Sequence, residues 1–413
     1  MKNRVVITGI GALTPIGFGV DGLWEGIKKE QSGLGFITRF NPDHYNAKCA
    51  GEINDFHPSD YFPPHRLKRL DRYGQFALVL TEQALADAKL KVDPTTPNIR
   101  HGICFGTALG GITAAEIQHE RFIREGSRAI PPALALQVFG GSAHANIAIA
   151  YGFRGYGTTN SNSCASGTVA VGEAFRALRD GIADMILAGA AEAPLAPLTY
   201  GAFDTIKAMS KELVDARNSC RPFDKNRTGF VMSEGGGAVV METLDHARNR
   251  GARIYAEVLG YSLNNDAYHM TSSLPDGTAA IAAMQAALDE AGIKPEQVDY
   301  INAHASSTPM NDNHETVAIT KLFGKKTPAV SGTKAYYGHP LGASGAIEAG
   351  LCALALTHDY IPPTLNCTDP EVPEGFDLVT LHGRKQPLQY TLSNSFGFGG
   401  INASIVLGKA PAL

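Results

Sequence analysis

Ala84-Leu85-Ala86-Asp87-Ala88-Lys89-Leu90-Lys91 returns later in the chain as Ala287-Leu288-Asp289-Glu290-Ala291-Gly292-Ile293-Lys294. Each copy is followed by an apolar strand ending in a small-residue loop, Gly106-Thr107-Ala108 in one and Ala303-His304-Ala305 in the other. A second echo, in the same order, pairs Cys164-Ala165-Ser166-Gly167 with Gly342-Ala343-Ser344-Gly345, each opening an apolar helix. Two echoes in one order indicate two similar halves, which we expect to divide as residues 1–252 and 253–413. Around them, glycine-bounded apolar strands alternate with helices, the pattern of an α/β layered fold. The expected strands are Val5–Ile7, Gly102–Phe105, Met185–Ala188, Gly236–Met241, Tyr300–Asn302 and Ser404–Leu407. The expected helices include Gln75–Ala88, Ala165–Arg179, Thr278–Ala291 and Ala343–Leu356.

The 413 residues are enough for two ordinary domains or one large duplicated one. With 44% hydrophobic and 18% charged residues a large core is expected. The 45 glycines gather beside apolar segments, as tight strand-to-helix turns and close backbone packing require. A net charge of −4 gives no global attraction to nucleic acid or to an anionic membrane. The cysteines at 49, 104, 164, 220, 352 and 367 are scattered without a CxxC, so reduced thiols are expected rather than a disulfide framework or a zinc site.

The start, Met1-Lys2-Asn3-Arg4-Val5-Val6-Ile7-Thr8-Gly9, places basic residues before an apolar stretch. That stretch is short, is broken by glycines and Pro15, and lacks a cleavage pattern, so it reads as a first strand rather than a leader. No run of 18 apolar residues occurs. No membrane span is expected, and the location is expected to be cytoplasmic. Gly9-Ile10-Gly11-Ala12-Leu13-Thr14 begins like a dinucleotide fingerprint, but the third glycine is missing and Pro15 intrudes. There is no Walker A sequence either, so no nucleotide cofactor is expected.

Cys164 lies in Ser161-Asn162-Ser163-Cys164-Ala165-Ser166-Gly167. Beyond it Val171, Ala174, Phe175 and Leu178 fall on one helical face, and Gly181 stops the helix. Ser161 and Ser163 are candidate caps. Cys164 is thus expected in a first turn, where free N–H groups and the dipole favour a thiolate and could hold the oxygen of a tetrahedral intermediate. The bland reading is a buried core thiol. Small polar neighbours, poor core filler, argue against it.

His304 follows the strand Tyr300-Ile301-Asn302-Ala303, at the strand end where ligand sites gather in open α/β sheets. His339 lies between Gly338 and Pro340, ahead of the Gly342-Ala343-Ser344-Gly345 helix start. Two imidazoles in one half and a thiol in the other suit acyl transfer through a thioester. Neutral rings could each donate an N–H to a thioester carbonyl as a carboxylate leaves as carbon dioxide. Lys334 could supply charge or pair with an acid. Asp312 and Glu315, at i and i+3, could reach it from one helix face, or could simply favour a helix N-terminus.

These residues, with Val5-Val6-Ile7-Thr8-Gly9-Ile10-Gly11-Ala12-Leu13-Thr14-Pro15, Arg221-Pro222-Phe223-Asp224, Asp266-Ala267-Tyr268-His269-Met270-Thr271 and Asn394-Ser395-Phe396-Gly397-Phe398-Gly399-Gly400, resemble the β-ketoacyl-acyl carrier protein synthases of fatty-acid and polyketide synthesis. The resemblance is strongest to the elongating, synthase II-like type and covers nearly the whole chain. It implies a duplicated thiolase-like five-layer α-β-α-β-α fold, a homodimer, and acyl carrier protein as partner. It implies Cys164 as the acyl-accepting nucleophile and His304 and His339 as the decarboxylation and condensation pair. Lys334 and Glu315 become a supporting charge pair, and the amides of Cys164 and Phe398 an oxyanion hole, with Phe398 gating the pocket. Leu109, Phe203, Thr308 and Phe396 fall at substrate-binding positions. Asn302, Glu348, Ser393 and Asn394 match positions that sometimes hold a structural monovalent cation; whether a metal is bound stays open.

The chain departs from the family pattern in Ala305-Ser306-Ser307, where Gly-Thr-Ser is usual, in Tyr337, where threonine is common, and in Ser161-Asn162-Ser163 before the cysteine. None removes a reacting group. They leave open substrate preference and a specialised polyketide or polyene role. A non-catalytic chain-length partner subunit would lack the nucleophile, a non-decarboxylating thiolase would carry a second cysteine near the C-terminal glycine loop, and an initiating synthase would pair cysteine with one histidine and an asparagine. Finally, Arg66, Lys68, Arg69 and Arg72 form a basic cluster on an expected helix, and Lys207 precedes Ala208-Met209-Ser210. This is either a solvated face or a docking patch for an acidic carrier; the resemblance favours docking for Lys68, Arg69 and Lys207.

Overall fold

The uncharged run Val5–Thr14 forms the first strand, β1, and all of it is buried, as a strand covered on both faces should be. A computed structural model describes residues 2–411. In it β1 lies inside an eleven-stranded sheet, with Gly17–Phe18 as a short side strand. The other long members are β2 (His101–Gly106), β3 (Gly157–Asn160), β4 (Met185–Glu192), β5 (Gly235–Thr243), β6 (Ala256–Asn265), β7 (Tyr300–Asn302), β8 (Ala329–Ser331), β9 (Tyr390–Gly397) and β10 (Ile401–Lys409).

Their spatial order is β8-β7-β9-β10-β6-β1-β5-β4-β2-β3. The order β3-β2-β4-β5-β1 repeats as β8-β7-β9-β10-β6, and the strand directions repeat with it. The outer three of each set are parallel, and the inner pairings are antiparallel. The two sets join where Val5–Ile7 pairs with Ala256–Val258.

Between the sets lie α3 (Ser166–Arg179) and α7 (Ser344–His358), which are buried almost all round, the composition expected of core helices. They touch through glycines. A Cβ on Gly167 would come within 2.5 Å of Ala346 N, and one on Gly345 within 2.0 Å of Thr168 Oγ1. On the outside, α1 (Arg72–Asp87) covers β1 and β5, and α5 (Thr278–Ala291) covers β6 and β10. The result is the five-layer thiolase-like arrangement.

The helices follow the sequence reading with small shifts. The first begins three residues early because Asp71 caps it, accepting from Gly74 N at 3.1 Å. Ile112–Glu125 (α2), Pro197–Thr205 (α4) and Pro309–Phe323 (α6) complete the set used below. Leu341–His358 is long and apolar enough by composition to cross a bilayer, but 89% of it is buried inside the fold. It is a core helix.

Candidate active site

After β3 the chain passes through a single 3₁₀ turn, Ser163–Ala165, into α3. Cys164 is 9% exposed in that turn. The expected serine caps do not form. Ser161 Oγ donates to Ala108 O at 3.2 Å, while Ser166 Oγ bonds Ser163 O at 2.8 Å and Thr107 O at 3.2 Å. The expectation of a resting thiolate also needs correcting. Burial pushes the Cys164 thiol up to about 11, outweighing the backbone N–H groups of Phe398 and Cys164 that act on the sulfur. The resting group is a thiol.

His339 Nε2 lies 3.2 Å from Cys164 Sγ, and its Nδ1 lies 2.9 Å from Ser344 Oγ. His304 comes from the loop after β7, its ring centroid 5.3 Å from that of His339 at 80°. One side-chain donor atom from each of Cys164, His304 and His339 falls within a 4.8 Å cluster. A metal ion could use the same three atoms only after the thiol ionised. Both rings are pushed well below the usual histidine value, first by burial and then by Lys334. They are neutral, each with one N–H to give.

The backbone around the set is unusual. Ser163, Ala305, Ser307 and Leu341 all have positive φ, at +51°, +42°, +70° and +41°. Non-glycine residues adopt this region at a cost, and it concentrates at functional sites. Ala305 stands where the family pattern has glycine.

Lys334 differs from expectation. Its Nζ donates to His304 O at 2.6 Å and pairs with Glu348 Oε1 at 2.5 Å; its partner is not Glu315. The Glu315 carboxylate is taken by two backbone N–H groups, of His304 and Ala305, each at 2.8 Å. Burial pushes Glu315 up to about 7. Asp312 likewise turns to backbone, accepting from Phe223 N at 2.9 Å and Ser307 N at 3.1 Å. Glu315 thus holds His304 from below, and Lys334 holds its carbonyl.

A cavity with about 560 Å³ of empty space, its open mouth included, is lined by Cys164, His304, His339, Thr308, Phe203, Phe396 and Phe398, among others. Phe398 stacks on Phe203 at 6.3 Å, Phe203 meets Phe230 edge-on at 5.9 Å, and Phe230 meets His339 at 5.5 Å. A Cβ on Gly397 would lie 3.1 Å from Cys164 N, so glycine lets the end of β9 approach the Cys164 turn. Leu109 does not line this cavity; it packs half-buried in a cluster with Phe203, Phe230 and Leu341.

Sequence reasoning missed Phe230, Leu341 and Met310, which carry no local signal, and the pairing of Glu348 with Lys334. That pairing had a usable signal, because Glu348 is the one carboxylate within the apolar run Ser344–His358.

Lys68, Arg69 and Lys207 are exposed, Lys207 two residues beyond the end of α4, the helix that carries Phe203. Arg72 leaves the expected basic cluster. It binds Glu234 at 2.6 Å and lies over the Phe76 ring at 4.7 Å.

Residues 2–247 match the family described as β-ketoacyl synthase, N-terminal domain, and residues 255–368 match its C-terminal domain. The chain is 39% identical over 413 residues to 3-oxoacyl-[acyl-carrier-protein] synthase 2 of Staphylococcus aureus (strain COL), covering 100% of this chain and 99% of the relative. Among solved structures it is similar to the ishigamide ketosynthase/chain length factor, with TM-score 0.93, 33% identity and full coverage of both chains. It is also similar to a type II PKS acyl-carrier protein complex with its ketosynthase bound to the hexaketide, with TM-score 0.90, 33% identity and full coverage of both chains.

Proposed function

The chain belongs to the β-ketoacyl synthase family, and from that premise we propose that Cys164 carries the growing acyl chain while His304 and His339 drive its condensation with malonyl-acyl carrier protein. The reaction class is that of a condensing acyltransferase in fatty-acid or polyketide elongation. The residue roles rest on one observation: a neutral imidazole 3.2 Å from a buried thiol, with a second neutral ring beside it.

In the first half-reaction the Cys164 sulfur attacks the acyl-carrier thioester carbon. The new C–S bond forms as the carrier's breaks, and the thiol proton passes by His339 Nε2 to the carrier sulfur. The N–H groups of Cys164 and Phe398 receive the oxyanion. In the second, the malonyl carboxylate leaves as carbon dioxide and its bonding pair stays on the α-carbon as an enolate. His304 and His339 donate N–H groups to the enolate oxygen. The α-carbon then attacks the Cys164 thioester, a C–C bond forms, the C–S bond breaks, and the sulfur takes up a proton from solvent, relayed by His339 Nε2. The Ser344 hydroxyl can donate or accept, so His339 can use either tautomer. Burial, and after it the Lys334 charge, keeps both rings from protonating.

Asn302 Oδ1, Glu348 Oε2 and Ser393 Oγ are buried without a partner among the described residues, and Asn302 and Ser393 are neighbours across β7 and β9. Hard oxygen donors of this kind fit a monovalent cation, which would offset the Glu348 charge. Asn394 does not join them, since its side chain bonds Ser404, Glu315 and Met284.

We further propose acyl carrier protein docking at Lys68, Arg69 and Lys207, a cytoplasmic location, and a division into residues 1–252 and 253–413, the last supported by the repeated strand order. A homodimer through the free edge of β3 is supported by Ile149, 79% exposed on the helix beside it. A non-catalytic partner role is not favoured, because the thiol and both rings are present and assembled.

Incubation with acyl-carrier proteins of several lengths, followed by mass spectrometry, should find the acyl group on Cys164, and malonyl-carrier protein should then release a chain two carbons longer. Product formation by a Cys164→Ala variant would overturn the assignment. Cys164→Gln should lose condensation while retaining malonyl decarboxylation.

A further inference from the structure

Glu192, the last residue of β4, is completely buried and has no place in the chemistry above. Its Oε1 accepts from Ala108 N and, at 3.1 Å, from Thr107 Oγ1. The backbone N–H groups of Leu109 and Gly342 also act on it. A Cβ on Gly342 would stand 2.7 Å from Oε1, so the turn after His339 closes directly over the carboxyl. Its Oε2 is buried without a partner among the described residues. The loop it holds is tied on its other side to the nucleophile turn, through Ser161 to Ala108 O and Ser166 to Thr107 O.

We propose that Glu192 is a positioning residue that locks the Thr107–Leu109 loop between the Cys164 turn and the Gly342 turn, and so fixes Leu109 behind Phe203, Phe230 and Leu341, which line the cavity. This rests on the reading of Cys164 as the acyl-bearing thiol. Loop donors alone fix Thr107, Ala108 and Leu109 in one place, because an unpaired N–H at this depth is costly. Each of those donors favours the ionised carboxylate. Burial pushes Glu192 up to about 8, against the Ala108, Thr107, Leu109 and Gly342 donors. The titratable groups that feel its charge are Tyr73 of α1 and Cys164, both acids. Ionisation therefore strengthens the bonds that hold the loop, and a neutral amide at this position gives a weaker lock.

The test measures acylation of Cys164 by a long-chain acyl-carrier protein at pH 7 and pH 9, with malonyl-carrier decarboxylation followed in parallel. Raising the pH from 7 to 9 should lower the wild-type KM for the long acyl chain by about threefold relative to Glu192→Gln, which cannot ionise. Glu192→Ala should raise the KM for the long acyl chain by about tenfold or more and change decarboxylation less. Identical KM profiles in wild type and Glu192→Gln between pH 7 and pH 9 would overturn the inference even if Glu192→Ala failed to fold. No acylation of the wild type at either pH would instead overturn the reading of Cys164, and this inference with it.

Discussion

Lys334 and Glu348 meet at 2.5 Å with both side chains wholly buried, directly behind the carbonyl of His304. Burying two charges is costly, and a buried pair often adds little net stability. Its worth here is geometric and electrostatic. The pair pins the His304 backbone, and its lysine charge adds to the burial that keeps both rings neutral.

Removing one partner should therefore do more harm than removing both. Glu348→Gln strands the lysine charge and is expected to cost roughly 3–5 kcal/mol in chemical denaturation. Lys334→Met with Glu348→Leu should recover most of that stability, yet condensation should stay more than about tenfold down. Normal turnover in the double variant would show that the charge has no catalytic part.

The pH profile follows from the neutral rings. Both imidazoles bind a proton only far below the usual value of 6.5. Condensation should thus hold level as pH falls from 8 to 6, and an acid limb centred near 6.5 would contradict the assignment. Stability has the matching sign. The unfolded rings take up protons first, so each ring's contribution is present above about pH 6.5 and is lost as pH falls towards the depressed folded value.

Ala305 and Gly332 form a matched pair. A Cβ on Gly332 would lie 2.5 Å from the methyl of Ala305, a residue held at positive φ. Gly332→Ala is expected to destabilise by about 1–3 kcal/mol and to slow decarboxylation through the neighbouring His304. Adding Ala305→Gly should restore at least half of both losses. Strict additivity in the thermal and kinetic data would sink the pairing.

Carrier docking separates the basic residues by what they touch. Lys68→Glu with Arg69→Glu should raise the KM for carrier-bound substrate by about tenfold and spare a free small thioester. Equal losses on both substrates would reject the docking patch. Arg72→Ala should act differently. It removes one of the two arginines paired with Glu234, whose side chain is 2% exposed and keeps Arg39 at 2.5 Å, so a loss of about 1–3 kcal/mol in stability is expected.

Much of the site was legible in the chain. Cys164, His304 and His339 stand in small-residue loops beside apolar runs, and local pattern marks such places. The duplication was legible too, since Cys164-Ala165-Ser166-Gly167 and Gly342-Ala343-Ser344-Gly345 occupy equivalent turns before α3 and α7. What the residues alone misjudged were charge states and partners. The first-turn position of Cys164 pointed to a thiolate, but burial overrides the dipole. Glu315 seemed free to meet Lys334, but backbone N–H groups claimed it first.

Amino-acid order therefore determined which elements form and which side chains are candidates for chemistry, because periodicity, glycine placement and turn composition are local properties. Only the tertiary structure decided that His339 reaches the sulfur of Cys164, that Glu348 rather than Glu315 answers Lys334, and that Phe230 closes the wall beside His339. Those outcomes depend on contacts between distant segments and on how much water each group loses. Neither quantity is written in any single stretch of sequence.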